Sequence, residues 1–405
     1  MKNWAGNQTF GAQETVTPES LEQLQETVAK SNKVKALGTA HSFNLSADTT
    51  GTQVSLKNFT QITGLNSETQ SVKVGSGVTY GQLAAYLNPL GWALENLASL
   101  PHITVAGSVA TATHGSGRRN QNLSAAVRGL SFVRADGTLD QPRDIDSQVV
   151  HIGALGVVYE LEVKIVPAFE LRQDVYQNLP WTALFDNFDA VTEAGFSVSL
   201  FTDWTSRSIN QVWVKGSKEM PDELFGAPVS IVKLHPLAHV SPENCTDQCG
   251  VMGPWHERLP HFKMEFMPSA GAELQSEFFV SIGDLREALE SLGKISEDIA
   301  KAVQICEIRF VREDNLLLSP AKGRDIACIH FTWHPDFQLV GPVIRKVESA
   351  LANLNPAPHW GKLFSIPPDQ LAVAYPGLNE FKSLAAKLDP NRKFINDFLE
   401  NQVGL

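Results

Sequence analysis

Ala98-Ser99-Leu100-Pro101-His102-Ile103-Thr104-Val105-Ala106-Gly107-Ser108-Val109-Ala110-Thr111-Ala112-Thr113-His114-Gly115-Ser116-Gly117 is the stretch on which the reading of this chain turns. Nearly all of it is small residues. Small side chains let a ligand come up against the backbone and its N–H groups. Such a run predicts a binding surface rather than an ordinary core element. A second stretch of this kind, Gly38-Thr39-Ala40-His41-Ser42, follows the strand-like Lys33–Leu37. A third, Gly153-Ala154-Leu155-Gly156, precedes the strand-like Val157–Ile165. A loop histidine such as His41 is usually solvated or hydrogen-bonded and does nothing else. Beside other Gly/Ala-rich loops it becomes a candidate contact for one extended ligand.

Outward from these loops, the N-terminal third alternates short strands and helices. Ser20–Ser31 places Leu21, Leu24 and Val28 on one helical face. Gln53–Leu56, Ser71–Val74 and Val127–Arg134 read as strands, and Thr79–Asn88 as a helix. Gly75-x-Gly77-x-x-x-Gly81 follows a strand and precedes a helix, but it misses the dinucleotide fingerprint by one residue. A strand-to-helix turn that also touches a cofactor is preferred over a nicotinamide site. Composition shifts near Pro167, and the chain up to about Ser365 reads as an α+β unit with an antiparallel sheet. Its helices are expected over Ile282–Val303 and Phe337–Leu354, with strands over Glu307–Val311 and Ile326–Trp333. The final segment is helical over Leu378–Leu388 and stops at Asp389-Pro390.

The chain has 405 residues, 43% hydrophobic and 19% charged, with a net charge of −11. That size predicts two domains or one large α/β unit. The acidic balance gives no electrostatic case for nucleic acid or an anionic membrane. The N-terminus lacks an apolar secretory segment, and no run reaches the ~20 apolar residues of a membrane helix. Cys245, Cys249, Cys306 and Cys328 are too few for a disulfide scaffold, and a reducing cytoplasmic setting is expected. Cys245-x-x-x-Cys249 has no second ligand pair nearby, so no metal site is expected.

A polar set lies in the C-terminal half. Strand alternation puts Glu307 and Arg309 on one face, and His330 and Thr332 on one face of a second strand. His359-Trp360-Gly361-Lys362 adds a third group. Alternating polar pairs are more often a solvated sheet face. The apolar neighbours Ile308, Phe310, Ile329 and Phe331 cover the opposite face, which leaves the charged side lining a cavity or open water.

Gly38-Thr39-Ala40-His41-Ser42-Phe43, Val105-Ala106-Gly107 and Thr113-His114-Gly115-Ser116-Gly117 resemble, in order and spacing, the vanillyl-alcohol oxidase superfamily of FAD enzymes. Within it the chain is most similar to the alditol and xylitol oxidases, with the aldonolactone oxidases next. The likeness runs from Asn3-Trp4 to Leu388-Asp389-Pro390. It implies an α+β fold of two domains. Residues 1–168, completed by 366–405, would form an FAD-binding domain of the PCMH type, and 169–365 a substrate-binding cap. It implies FAD bonded covalently through His41, with one link only because no Cys lies in the 98–117 run. Around the cofactor it places Gly38, Thr39, Ala40, His41, Ser42, Ser99, Val105, Gly107, Ser108, Thr111, Thr113, His114, Gly115, Gly117, Gly153, Gly156 and Val158. Around the substrate it places Ser99, Glu307, Arg309, His330, Thr332 and Lys362.

The implied reaction takes a hydride from the terminal hydroxyl-bearing carbon of an acyclic polyol such as xylitol or sorbitol to flavin N5. An aldose forms, and reoxidation by O₂ gives hydrogen peroxide. The hydroxyl proton needs a base within hydrogen-bond reach, and His330 and Lys362 both qualify. Arg309 would stabilise charge on the reduced flavin, and Ala98 would leave room for oxygen. The partners expected are the polyol and O₂, with no nucleic acid and no membrane, on a monomer. The competing readings are an aldonolactone oxidase and a flavin- and carbohydrate-binding protein without turnover.

Overall fold

The structure is a computed structural model and describes residues 1–264 and 273–405. Helix Leu21–Lys30 starts where expected because Ser20 Oγ accepts from Gln23 N (3.3 Å). Helix Tyr80–Leu87 is set by a reciprocal cap in which Gln82 N donates to Thr79 Oγ1 and Thr79 N to Gln82 Oε1. Strands Glu14–Val16, Thr52–Ser55 and Val34–Leu37 form a small parallel sheet. A five-stranded antiparallel sheet runs Ile62–Asn66, Ser71–Gly75, Val157–Lys164, Val127–Val133 and Leu139–Asp140. Gly75 and Gly77 serve packing: a Cβ there would overlap the Phe59 and Leu56 carbonyls. Between them Ser76 reaches the central cavity.

The second sheet has eight strands, all antiparallel, in the order Gly253–Pro254, Glu170–Pro180, Ser208–Gly216, Ser197–Thr202, Val303–Val311, Ile326–Trp333, Leu274–Ser281 and Ala357–Pro358. The α+β class with an antiparallel sheet flanked by helices is therefore present. The expected helix Ile282–Val303 is in fact two, Leu285–Gly293 and Ser296–Ala302. The chain breaks where Gly293 packs against Trp181 and Ile295 leaves helical geometry. Both pieces bury an apolar face (Leu285, Leu289 and Leu292; Ile299 and Ala302), so the periodicity runs through the break. Helix Phe337–Leu351 ends in a tighter turn, Ala352–Leu354.

The C-terminal tail packs back onto the first sheet. Lys393 Nζ donates to the carbonyls of Val28 (2.7 Å) and Ala135 (2.6 Å), and Phe394 is buried with Leu24, Val28, Val34 and Val54. The small-residue run touches the large sheet at its end, where Gly117 N donates to Phe310 O (2.8 Å).

Candidate active site

A cavity of about 260 Å³ runs between the two sheets. One wall is the first sheet's loops: Gly38 to Ser42, Ala98, Ser99, Thr104, Gly107, Ser108, Thr111, Thr113, His114, His151, Gly153 and Val158. Val105, Gly115, Gly117 and Gly156 do not line it. Val105 is in the core, and side chains at Gly115 and Gly156 would collide with the Leu97 and Val133 carbonyls. Ala40 has a positive φ of 55°, a conformation that costs a non-glycine residue about 1 kcal/mol or more. The Trp4 N–H donating to Ala40 O (2.8 Å) holds it there.

His41 projects from this strained turn. Its ring stacks on Trp4, with centroids 4.3 Å apart and planes at 18°. Both ring nitrogens are buried and neither has a hydrogen-bond partner among the described residues. Burial, helped by nearby His102, pushes its pKa down to about 4, so the imidazole is neutral. Ser76 Oγ and His151 Nε2 are also buried on this wall without partners. Buried polar atoms are normally satisfied, so this row of orphans marks a ligand bed.

The opposite wall comes from three adjacent strands. Glu307 pairs across the sheet with His330, and His330 with Glu277. The next row along the same face is Arg309, Cys328 and Phe279. Side chains at alternate strand positions share a face, so this register collects the charges on one side. Glu277 is the hub. It accepts from Lys362 Nζ (2.7 Å) and Arg309 Nη2 (3.0 Å), and His114 Nε2 lies 3.2 Å away. Lys362, His114 and Arg309 together hold its carboxyl well below the ordinary range against the cost of burial. Arg309 Nη1 also reaches Ser99 Oγ (3.4 Å) and the His114 carbonyl (3.3 Å).

His330 lines the cavity, and its Nε2 is buried and unpartnered. Burial pushes it down to about 4, with Lys362 and Arg309 adding and Glu307 opposing. Its Nδ1 lies 3.7 Å from Glu307 Oε2. Glu307 itself sits behind the wall, accepting from His261 Nε2 (2.7 Å). Thr332 is one strand row further out, opposite Gln275, and does not line the cavity, whereas Gln275 does. Ser99, Arg309, His330 and Lys362 thus meet at one place, with Glu307 behind them and Thr332 to the side.

The two walls are joined beside His41. Gly361 O accepts from Phe43 N (2.8 Å), and Asn44 Nδ2 donates to the carbonyls of Trp360 (2.8 Å) and Lys362 (2.9 Å). On its other side the same turn binds the large sheet, through His359 N to Glu277 O and Leu363 N to Gln275 O (both 2.9 Å). The loop that carries His41 and the turn that carries Lys362 are therefore in direct contact.

A model for an FAD binding domain matches residues 12–140, and one for D-arabinono-1,4-lactone oxidase matches residues 271–402. Over 408 residues the chain is 44% identical to alditol oxidase from a Streptomyces species, which covers 98% of each. The chain belongs to the alditol oxidase family. A more distant relative, L-gulono-1,4-lactone dehydrogenase of Mycobacterium tuberculosis, is 26% identical over 99% of this chain and 98% of its own. A solvent-stable cholesterol oxidase superposes with a TM-score of 0.78 over all of this chain and 97% of its own, at 16% identity. The alditol oxidase family fold is thus that of the vanillyl-alcohol-oxidase-type flavoproteins, and the chain is an FAD-dependent oxidoreductase. The row of orphaned polar atoms and the small-residue loops fit FAD along the first wall. Among the described residues no helix is long and apolar enough to cross a membrane.

Sequence reasoning did not find Glu277, His261 or Lys215. A lone carboxylate between Ser276 and Phe278 carries no spacing signal, although a charge directly before the apolar run Phe278-Phe279-Val280 was a clue.

Proposed function

We propose that the protein oxidises an acyclic polyol at its terminal hydroxyl-bearing carbon, with FAD tethered by His41 and His330 as the base. The observation that carries this reading is the meeting of His41's wall with the Ser99, Arg309, His330 and Lys362 wall in one cavity. FAD bound there supplies the hydride acceptor and, through O₂, the release of hydrogen peroxide. The chain's own residues do the rest. His330 is neutral and offers an unpartnered Nε2 to the substrate hydroxyl, whose proton it takes. Glu307, 3.7 Å from its Nδ1, stabilises the imidazolium that forms. Lys362 keeps its proton through its contact with Glu277, although burial lowers its pKa. It and Arg309 therefore act as cations that favour the developing alkoxide and charge on the reduced cofactor. Ser99 and Lys362 can bind further hydroxyls, and a polyol lacking one would leave a buried group unpaired at about 1–3 kcal/mol. Glu307 acts from behind His330, and Thr332 lies one strand row further out, opposite Gln275. Ala98 keeps the cavity wall small for oxygen.

The neutral, partner-free imidazole of His41 supports a covalent bond, since a neutral ring nitrogen is a competent nucleophile. All four cysteines are free, which supports a reducing, cytoplasmic setting. The lactone-oxidase match over residues 271–402 favours a second reading, oxidation of a sugar lactone. Peroxide release with a panel of polyols and lactones separates the two. Peroxide with xylitol or sorbitol but not with lactones is expected, and the reverse pattern selects the lactone reading. Yellow protein without peroxide would leave only a binding role.

A further inference from the structure

Lys215 is buried to 1% exposure, and no carboxylate among the described residues makes a hydrogen bond or ion pair with it. Its three N–H groups go to Leu259 O (2.6 Å), Pro260 O (3.1 Å) and His261 Nδ1 (3.1 Å). An ammonium group has no lone pair, so His261 Nδ1 must accept. The proton of the neutral His261 ring is then on Nε2, which donates to Glu307 Oε1 (2.7 Å). The ring is wedged edge-on between Phe201 and Trp213, with centroids 5.6 and 5.1 Å away, and cannot turn over freely. Its backbone N–H donates to Ser99 O (3.2 Å), which ties the group to the cavity wall. Lys215, Phe201 and Glu307 lie on one sheet face by register, since Ser197 faces Lys215 and Phe201 faces Glu307.

A fold that needed only to pin the loop Leu259–His261 could do so with a neutral donor. Burial lowers the pKa of Lys215 to about 7 while Glu307 favours its proton. An ammonium here does something a hydroxyl, which can also accept, does not. It permits only one tautomer of His261, and that tautomer presents a donor to Glu307. With Oε1 so occupied, Oε2 is left facing His330 Nδ1. A carboxylate there favours a proton on Nδ1 and leaves Nε2 bare toward the substrate, the same logic by which an acidic group fixes the base of a hydrolytic triad.

We infer that Lys215 and His261 are positioning residues for the oxidation, acting through Glu307 to keep His330 in the tautomer that can accept the hydroxyl proton. This rests on the proposed role of His330 as base. The test is anaerobic reduction of the holoenzyme by polyol in rapid-mixing experiments, with Lys215→Met and with His261→Gln and His261→Phe. Gln retains a side-chain donor for Glu307, and Phe does not. Lys215→Met and His261→Phe should lower the limiting reduction rate roughly tenfold or more, with substrate affinity changed less than about twofold. His261→Gln should recover most of the rate. A limiting rate within twofold of the parent in His261→Phe, or equal losses in Gln and Phe, would overturn the inference. Should Lys215→Met fail to fold, the two His261 variants decide alone. A second readout does not depend on turnover. In ¹⁵N-histidine-labelled holoenzyme the His261 ring should show a bare Nδ1 and a protonated Nε2, lost in Lys215→Met. The opposite tautomer in the parent overturns the inference even if no polyol reduces the protein. An absence of reduction by any polyol with the expected tautomer present indicts the functional reading instead.

Discussion

The two walls of the cavity solve different problems with different materials. The first wall is largely backbone, glycine and alanine, and the side chains of His41 and Ser76 and one ring nitrogen of His151 are buried on it without partners among the described residues. The second is a grid of buried acids and bases in which nearly every charge touches its opposite. A cofactor that stays bound through every turnover can be held largely by geometry. A reacting group needs charges whose proton states are fixed in advance, and fixing them inside a protein takes mutual pairing. Substitutions in the second wall should therefore be severe, and those in the first mild.

Glu277→Gln tests the contrast hardest. It leaves two buried cations without their shared anion, a loss of about 3–5 kcal/mol, and should abolish turnover and lower the melting temperature of the holoprotein by many degrees. Near-parental melting and peroxide release would show that the hub is dispensable. Next, His330→Ala should cut the reduction rate by about 10²–10⁴-fold, the usual worth of a positioned base, while FAD content stays unchanged. His41→Ala should release FAD on acid precipitation and remove its mass from the denatured chain. The protein should still bind FAD and turn over more slowly, because the rest of the first wall remains. Smallest of all, Ser76→Ala deletes a hydroxyl that has no protein partner. FAD dissociation, measured by fluorescence in a His41→Ala background, should change less than about tenfold, in line with a single neutral hydrogen bond.

The pH response should also sort the walls. His41, His261 and His330 have ordinary values of 6.5 and are pushed down to about 4 by burial. The unfolded chain therefore binds more protons than the native one between about 6.5 and 4, and stability falls as pH falls through that window. The base itself stays neutral until about 4. Reduction at saturating polyol should hold its rate down to about pH 5, while melting temperature already declines. A rate that tracks a group near 6.5 would assign the base elsewhere.

Much of this was legible in the chain. Strand Ile326–Trp333 and helix Leu378–Leu388 have the bounds their patterns indicate. The Glu307-x-Arg309 alternation marked the charged face, because period-two spacing is written locally. The helix break near Ile295 was not legible, since both pieces face the same core. Nor were the contacts between distant strands and turns: Lys362 meets Glu277 across 85 positions, and His261 meets Glu307 across 46. Strand register creates such meetings, and no short window of sequence records it.

The turn His359–Lys362 is fastened on one side to the segment just past His41 and on the other to the large sheet. The loop of His41 and the turn of Lys362 consequently share a mount. Breathing of one half against the other would carry both together and leave their spacing intact. Anyone reshaping what this enzyme accepts should leave that mount alone and work on the side chains of the outer row, Gln275 and Thr332, the first of which lines the cavity.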